Sequence, residues 1–264
     1  MGIARHAYKL PLLILLAGLV TAPAAAEVPP LAPLTIKAKY IVEWNGITIG
    51  RINFTSEEIA GRYRMIVDTK TRGIARLFSD EASVATAEGI ITEEGKYIPQ
   101  RFESRPMKAN DKRPHTILIY DETGKLASRQ RFPDDDPAWR PPVSFDEAIG
   151  SIDPASAGLA MRCLVHKHMA QEIRESILRT YEGARLADMK VKVISRARVE
   201  YQGEYHNAIN TVVTRQPIAG YTPKEKKKFA EGDPIIHLYF SADAKMLPVK
   251  VTVDSLSATL VELN

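Results

Sequence analysis

A single cysteine, Cys163, stands among 264 residues, so the chain cannot close an internal disulfide and must be held by an ordinary core. Phosphate-cradling loops are missing too. Neither Gly-x-x-x-x-Gly-Lys-Ser/Thr nor Gly-x-Gly-x-x-Gly occurs, which argues against nucleotide chemistry. Gly150-Ser151 lacks the second glycine and the strand-to-helix setting of a nucleophile elbow, so a serine hydrolase of that kind is rejected. The apolar stretch Leu10 to Val20 is about eleven residues long, against the roughly twenty that a helix needs to cross a bilayer. With aromatics at 7%, nothing marks an oligomer. What is there, 45% hydrophobic and 26% charged residues with 15 Gly and 17 Pro, excludes disorder and a collagen-like chain and suits one medium-sized globular unit.

Arg5, His6 and Lys9 form a basic start, the apolar stretch follows, and Ala24-Ala25-Ala26 before Glu27 meets the small-x-small cleavage rule. Residues 1–26 therefore read as a secretory signal peptide. No cysteine stands at the cleavage point to take a lipid, so the mature protein is expected free in the periplasm, with no transmembrane anchor after cleavage. Removing Arg5 and Lys9 lowers the net charge from +4 to +2, so the basic balance is not a nucleic-acid signature.

Residues 27–34 carry Pro29, Pro30 and Pro33 and read as a mobile, extended lead-in. Ile36, Ala38, Tyr40, Val42 and Trp44 then alternate with polar residues, the period of a strand with one buried face. Asn45-Gly46 suits a type I′ hairpin turn. In the next strand the apolar parity changes at Gly50-Arg51, where a β-bulge is expected. Tyr63, Met65 and Val67 continue the meander, and Ile74, Leu77 and Phe78 suggest a helical turn within 71–80. Four further strands are predicted at 83–91, 97–105, 116–120 and 126–132.

Residues 133–142, PDDDPAWRPP, read as a long surface loop. Ser144 to Glu147 has capping-box spacing, and Asp153-Pro154 opens a helix over 155–170 with Leu159 and Cys163 on its apolar side. Strands return at 176–181, 189–199, 207–214, 235–240, 248–254 and 256–263. The expected fold is mainly β: a curved antiparallel sheet or half-barrel with one or two short helices packed on or plugging it, in which the first and last strands hide each other's edges. Residues 35–264 form one domain on this reading, with two half-barrel lobes meeting near 133–155 as its variant.

Four patterns carry a resemblance: Tyr40-x-Val-x-Trp-x-Gly-Ile-x-Ile-Gly50, Ile152-Asp-Pro-x-Ser-Ala157 followed by Arg162, Tyr181-Glu-Gly-x-Arg185, and Phe240-Ser-x-Asp-x-x-x-Leu-Pro248. Together they resemble a domain-of-unknown-function family of exported proteobacterial proteins, over roughly Thr35 to Leu263. Glu182 replaces the Asp usual there. The resemblance implies a curved antiparallel sheet, a periplasmic address and no established catalytic activity, and it supplies no site residues.

Cys163, His166 and His168 cluster on the predicted helix, but His168 lies roughly 200° round from His166, the wrong spacing for three zinc ligands. A buried thiol beside a wet helix end is favoured, and no cofactor or metal is assigned. Asp134, Asp135 and Asp136 sit among prolines that forbid an EF-hand and read as a solvated acidic loop. Asp111 with Asp121, or Glu93 with Glu94, are generic candidates for glycosidase carboxylates. Lys224, Lys226, Lys227 and Lys228, flanked by Tyr221 and Phe229, are the candidate surface contact for anionic lipid headgroups, against the blander reading of a solvated hairpin loop. Tyr40 and Trp44 are expected in the core, or lining a cavity if the sheet holds an apolar ligand. The function expected is binding of an envelope lipid or of a periplasmic or outer-membrane protein. The alternative is a periplasmic hydrolase acting on peptidoglycan or glycan.

Overall fold

The computed structural model describes residues 32–72, 82–108, 113–171 and 175–264. The signal peptide expected at 1–26, the helical turn expected beyond Arg72, and Asp111 lie outside the described residues. Seven strands form a first meander: β1 (Ile36–Trp44), β2 (Ile47–Ile59), β3 (Arg62–Thr71), β4 (Ala82–Ile91), β5 (Tyr97–Pro106), β6 (His115–Tyr120) and β7 (Leu126–Phe132). Helix α1 (Pro154–Gln171) leads into β8 (Glu175–Tyr181), β9 (Leu186–Tyr201) and β10 (Glu204–Ala219). Helix α2 (Pro223–Glu231) precedes β11 (Ile236–Ser241), β12 (Pro248–Val253) and β13 (Leu256–Leu263). All thirteen strands belong to one sheet, in the order β7-β6-β5-β4-β3-β2-β1-β13-β12-β11-β10-β9-β8.

The two meanders join through β1 and β13, where Tyr40 faces Leu260 and Trp44 faces Leu256. First and last strands thus cover each other's edges, as the strong alternation at both ends of the chain predicts. Asn45 and Gly46 both take positive φ, 47° and 77°, which fixes the tight β1–β2 hairpin. The expected bulge falls one residue early: Val42 faces Gly50 and Glu43 faces Thr48, leaving Ile49 as the extra residue.

The sheet does not close. Its outer strands are β7 and β8, and the chain between them covers the gap. The Ile152 N–H donates to the Arg179 carbonyl at 3.0 Å, and the Tyr181 N–H donates to the Ile152 carbonyl at 2.9 Å, pairing the free edge of β8. At Gly183 the β8–β9 turn lies against β6. Its φ is 95°, and a Cβ there would stand 2.4 Å from the Thr116 methyl, so only glycine fits.

Two corrections concern the linking segments. The described end of the lead-in is docked rather than mobile: Leu34 is buried, and its N–H donates to Glu58 at 2.8 Å. The acidic loop is not merely solvated. Asp134 is paired with Arg129, while Asp135 lies 3.2 Å from both Arg131 and Arg140, neutralising charges that β7 and the buried Arg140 bring to it. The Ser144–Glu147 capping box does form, yet the segment stays a turn.

Helix α1 fills one half of the sheet's inner face. Asp153 caps it, accepting from the Ala155 and Ser156 N–H groups at 3.0 and 2.8 Å, with Pro154 in the first turn. Ala157, Leu159, Arg162, Val165 and His168 are all buried and point in several directions, because the sheet wraps round the helix. Leu159 joins Tyr63, Phe102, Leu118 and Leu260 in one core cluster. Val165 joins Val191, Ile209, Val213 and Phe240 in a second. Each large aliphatic residue buried this way contributes about 2 kcal/mol.

Candidate functional site

Residues that pack on α1 define the inner face, and the strand register shows how far that face runs beyond the helix. Directly opposed residues on neighbouring strands share a side of the sheet. From buried Val213 the pairs run Val213–Ile236, Ile236–Val253, Val253–Leu256, Leu256–Trp44 and Trp44–Ile47. A second row beside it runs through Leu238, Val251, Ala258 and Val42 to Gly50. The inner face of six adjacent strands is therefore an almost wholly apolar band. Its burial fades away from the helix: Val213 is 1% exposed, Leu256 40%, and Trp44 and Ile47 54% each.

Tyr40 lies in the core as expected, its hydroxyl donating to the Pro248 carbonyl at 2.7 Å, with burial pushing its pKa up. Trp44 is not a core residue. It ends β1 past the reach of α1 and lines the open part of the band.

Beside the band, α2 roofs a cleft of about 400 Å³ over Thr180, Ala187, Met189 and Arg215 of the inner face. The lysine run expected in a hairpin loop is thus a helix. Thr222 and Glu225 form a capping box round Pro223, and Lys224, Lys226, Lys227 and Lys228 are all exposed. Glu225 ties the helix down: it meets Arg140 at 2.9 Å and Arg185 at 2.6 Å. Burial opposes its ionisation, but hydrogen bonds from Arg140, Arg185 and the Thr222 N–H prevail and hold the carboxyl down at about 2. Phe229 meets Tyr221 edge to face under the Arg215 guanidinium, and Arg215 pairs with Asp233 at 2.7 Å. The charges of Glu182, Arg185, Arg215, Glu225 and Asp233 round the cleft are therefore spent on one another or on Arg140.

The patterned residues turn out to be architectural. Arg162, 1% exposed, donates to the Lys245 and Ala32 carbonyls and pairs with Glu58 at 3.2 Å; Glu58 also accepts from Tyr97 at 2.6 Å. Ser156 donates to Asp153 at 2.6 Å and shares a hydrogen bond with Tyr63 at 2.7 Å. Ser241 donates to Asp243 and accepts from the Leu247 N–H, closing the turn into β12. Arg185 holds Glu225 and Glu182. Sequence reasoning missed both α2 and the Arg162–Glu58 pair. The first had a signal in Thr222-Pro-x-Glu225; the second spans 104 residues and had none.

The candidate catalytic groups are dispersed. Asp121 is used in its own turn, accepting from the Thr123 and Lys125 N–H groups at 2.9 Å each. Glu93 and Glu94 lie at the exposed β4–β5 turn. His168 bonds Ser176, His115 bonds Glu103, His237 bonds Asn210, and His206 stacks on Tyr201. Among the described residues no group of three His, Cys, Asp or Glu is placed to hold a metal ion. No helix among them is long and apolar enough to cross a membrane.

The family DUF3108, proteins of unknown function, matches residues 39–260, and the chain belongs to it. No curated protein matches. Among solved structures the chain is similar to a β-barrel-like protein of the domain of unknown function DUF1849 from Brucella abortus. That pair shares 13% identity over 89% of this chain and 98% of that one, with a TM-score of 0.48. It is also similar to a proposed lipoprotein of Parabacteroides distasonis, at 9% identity over 89% and 97% of the two chains and a TM-score of 0.36.

Proposed function

We propose that this DUF3108 protein is an exported, non-enzymatic binding protein of the periplasm that holds a lipid-like ligand against the open half of its inner face. One observation carries the reading: the unbroken apolar band from Val213 through Ile236, Val253 and Leu256 to Trp44 and Ile47, packed by α1 at one end and open at the other. Apolar surface left open on the concave side of a sheet suits an acyl chain, which gains about 0.8 kcal/mol per methylene buried. Residues 1–26, read as an export signal, support a ligand drawn from envelope lipids. The candidate catalytic carboxylates and histidines described above are spread over the fold, in turns, ion pairs, hydrogen bonds and ring contacts, and do not converge on one cleft.

The test is native mass spectrometry of the mature chain, Glu27 to Asn264, released gently from the periplasm of its own host. One acyl lipid per chain is the expected result. A chain that is consistently empty, and stays empty after incubation with total envelope lipid, contradicts the reading.

A further inference from the structure

The open end of the band is also a rim, and the rim has its own chemistry. By the antiparallel order, the end of β1, the start of β2, the end of β12 and the starts of β13 and β11 all lie on one side of the sheet. Two turns stand there side by side, joined by the Asn45 N–H donating to the Ser255 carbonyl at 3.0 Å. Trp44, Ile47, Leu256 and Ile235 project exposed apolar side chains around them. On the same side, α2 links the end of β10 to the start of β11. Three strand spacings, about 14 Å, separate β11 from β1.

We propose that this rim docks on the anionic face of a lipid bilayer, with Trp44, Ile47 and Leu256 entering the interface and the lysines of α2 lying over the headgroups. Helix α2 buries none of its own residues, so it does not serve to complete the core. It is nonetheless rigidly held, by its capping box and by Glu225, whose charge Arg140 and Arg185 already match. Three exposed lysines, Lys224, Lys226 and Lys227, lie outside the cleft that Lys228 lines, against Glu231, which lies 3.9 Å from Lys227. Asp254 at the turn and Glu43 on β1 are the nearby carboxylates at the tips. The residue types favour lipid over protein. Protein interfaces are depleted in lysine and use arginine, and the arginines here are engaged in ion pairs. Tryptophan and aliphatic tips beside lysines match a headgroup region, where an anionic surface attracts each nearby lysine and the aromatic ring settles at the interface.

This docking goes beyond the ligand reading, and the two fail separately: an empty chain can still sediment with vesicles, and a loaded chain can fail to. The experiment is co-sedimentation of the mature chain with vesicles of phosphatidylcholine alone and with phosphatidylglycerol added, at low and high salt. Binding is expected to the anionic vesicles only, and to be lost as salt screens the lysines. Replacing Lys224, Lys226 and Lys227 together by Gln should weaken it about hundredfold, at roughly fivefold per lysine. Trp44→Ser should weaken it about tenfold. Because Trp44 and Trp139 are the two tryptophans, Trp139→Phe leaves Trp44 as sole reporter, and its emission should shift to the blue on anionic vesicles. Equal binding to both vesicle types, no binding to either, or an unshifted Trp44 emission overturns the proposal and returns the rim to a protein partner.

Discussion

Replacing Arg162 by methionine is expected to lower the stability of the fold by about 3–5 kcal/mol, the cost of leaving a buried carboxylate without its partner. The guanidinium is the hub of the plugged half of the sheet. It donates to Lys245 in the turn before β12 and to Ala32 in the lead-in, and it pairs with Glu58 at the end of β2. Methionine fills similar volume but answers none of those acceptors. The companion variant Arg162→Met/Glu58→Gln removes the stranded charge and should recover part of the loss, while the two carbonyls still lack their donor. Urea unfolding of the three proteins measures this. A single variant within about 1 kcal/mol of the parent would show that α1 is held by apolar packing alone.

The contribution of Asp153 to stability should fall as the pH climbs from about 4 to above 6, opposite in sign to that of the paired carboxylates such as Glu225, and it is isolated by comparison with Asp153→Asn. The carboxyl is wholly buried at the start of α1, and burial pushes its pKa from 3.8 up to about 6, against the pull of hydrogen bonds from Ser156 and Ala155. Tyr63 and Tyr120 face it, and the Tyr120 hydroxyl has no hydrogen-bond partner among the described residues. An acid whose folded pKa lies above its unfolded value favours folding while both states are protonated, below about 4. That contribution is lost as the pH rises through the folded value of about 6. The loss approaches 3 kcal/mol, at about 1.4 kcal/mol per pKa unit. Asp153→Asn keeps the acceptor for the helix N–H groups without the charge, so it should be more stable than the parent above pH 7 and nearly equal to it below pH 4. Thermal unfolding across this range checks both. An advantage of the Asn variant that does not grow through this window, or an Asn variant less stable at neutral pH, contradicts the assignment.

Much of the frame could be read from the sequence because it rests on local pattern. The alternation from Ile36 to Trp44 and from Val249 to Val253, the Asn45-Gly46 turn and the Asp153-Pro154 helix start each involve neighbours in the chain. What escaped depends on register or on distant partners. Strands β9 and β10 run to 16 residues each, longer than the 189–199 and 207–214 expected, because their added ends, Glu200–Tyr201 against Glu204–Tyr205 and Leu186–Asp188 against Gln216–Ala219, are held by pairing rather than by apolar alternation. The KEKKK run hid α2, since a helix that buries nothing shows no apolar period. The apolar band could not be seen at all: Val253, Leu256 and Trp44 become one surface only when β12, β13 and β1 are placed side by side. Tyr40 and Trp44 look equivalent in sequence, yet the core cluster that includes Leu159 of α1 takes in the first and leaves the second at the mouth.

The central claim is that this band is a ligand-binding surface, and Trp44 reports on it directly. In the Trp139→Phe protein, stripped of lipid, Trp44 emission is followed while a lysophospholipid is added below its micelle concentration. The account predicts a saturable blue shift at one molecule per chain. That shift should be abolished by Leu256→Asp, directly opposite Trp44 on the inner face, and kept by Ser257→Asp, one residue on and facing the other way. An unchanged emission, or equal effects of the two substitutions, would mean that the inner face of the sheet is not where this protein binds.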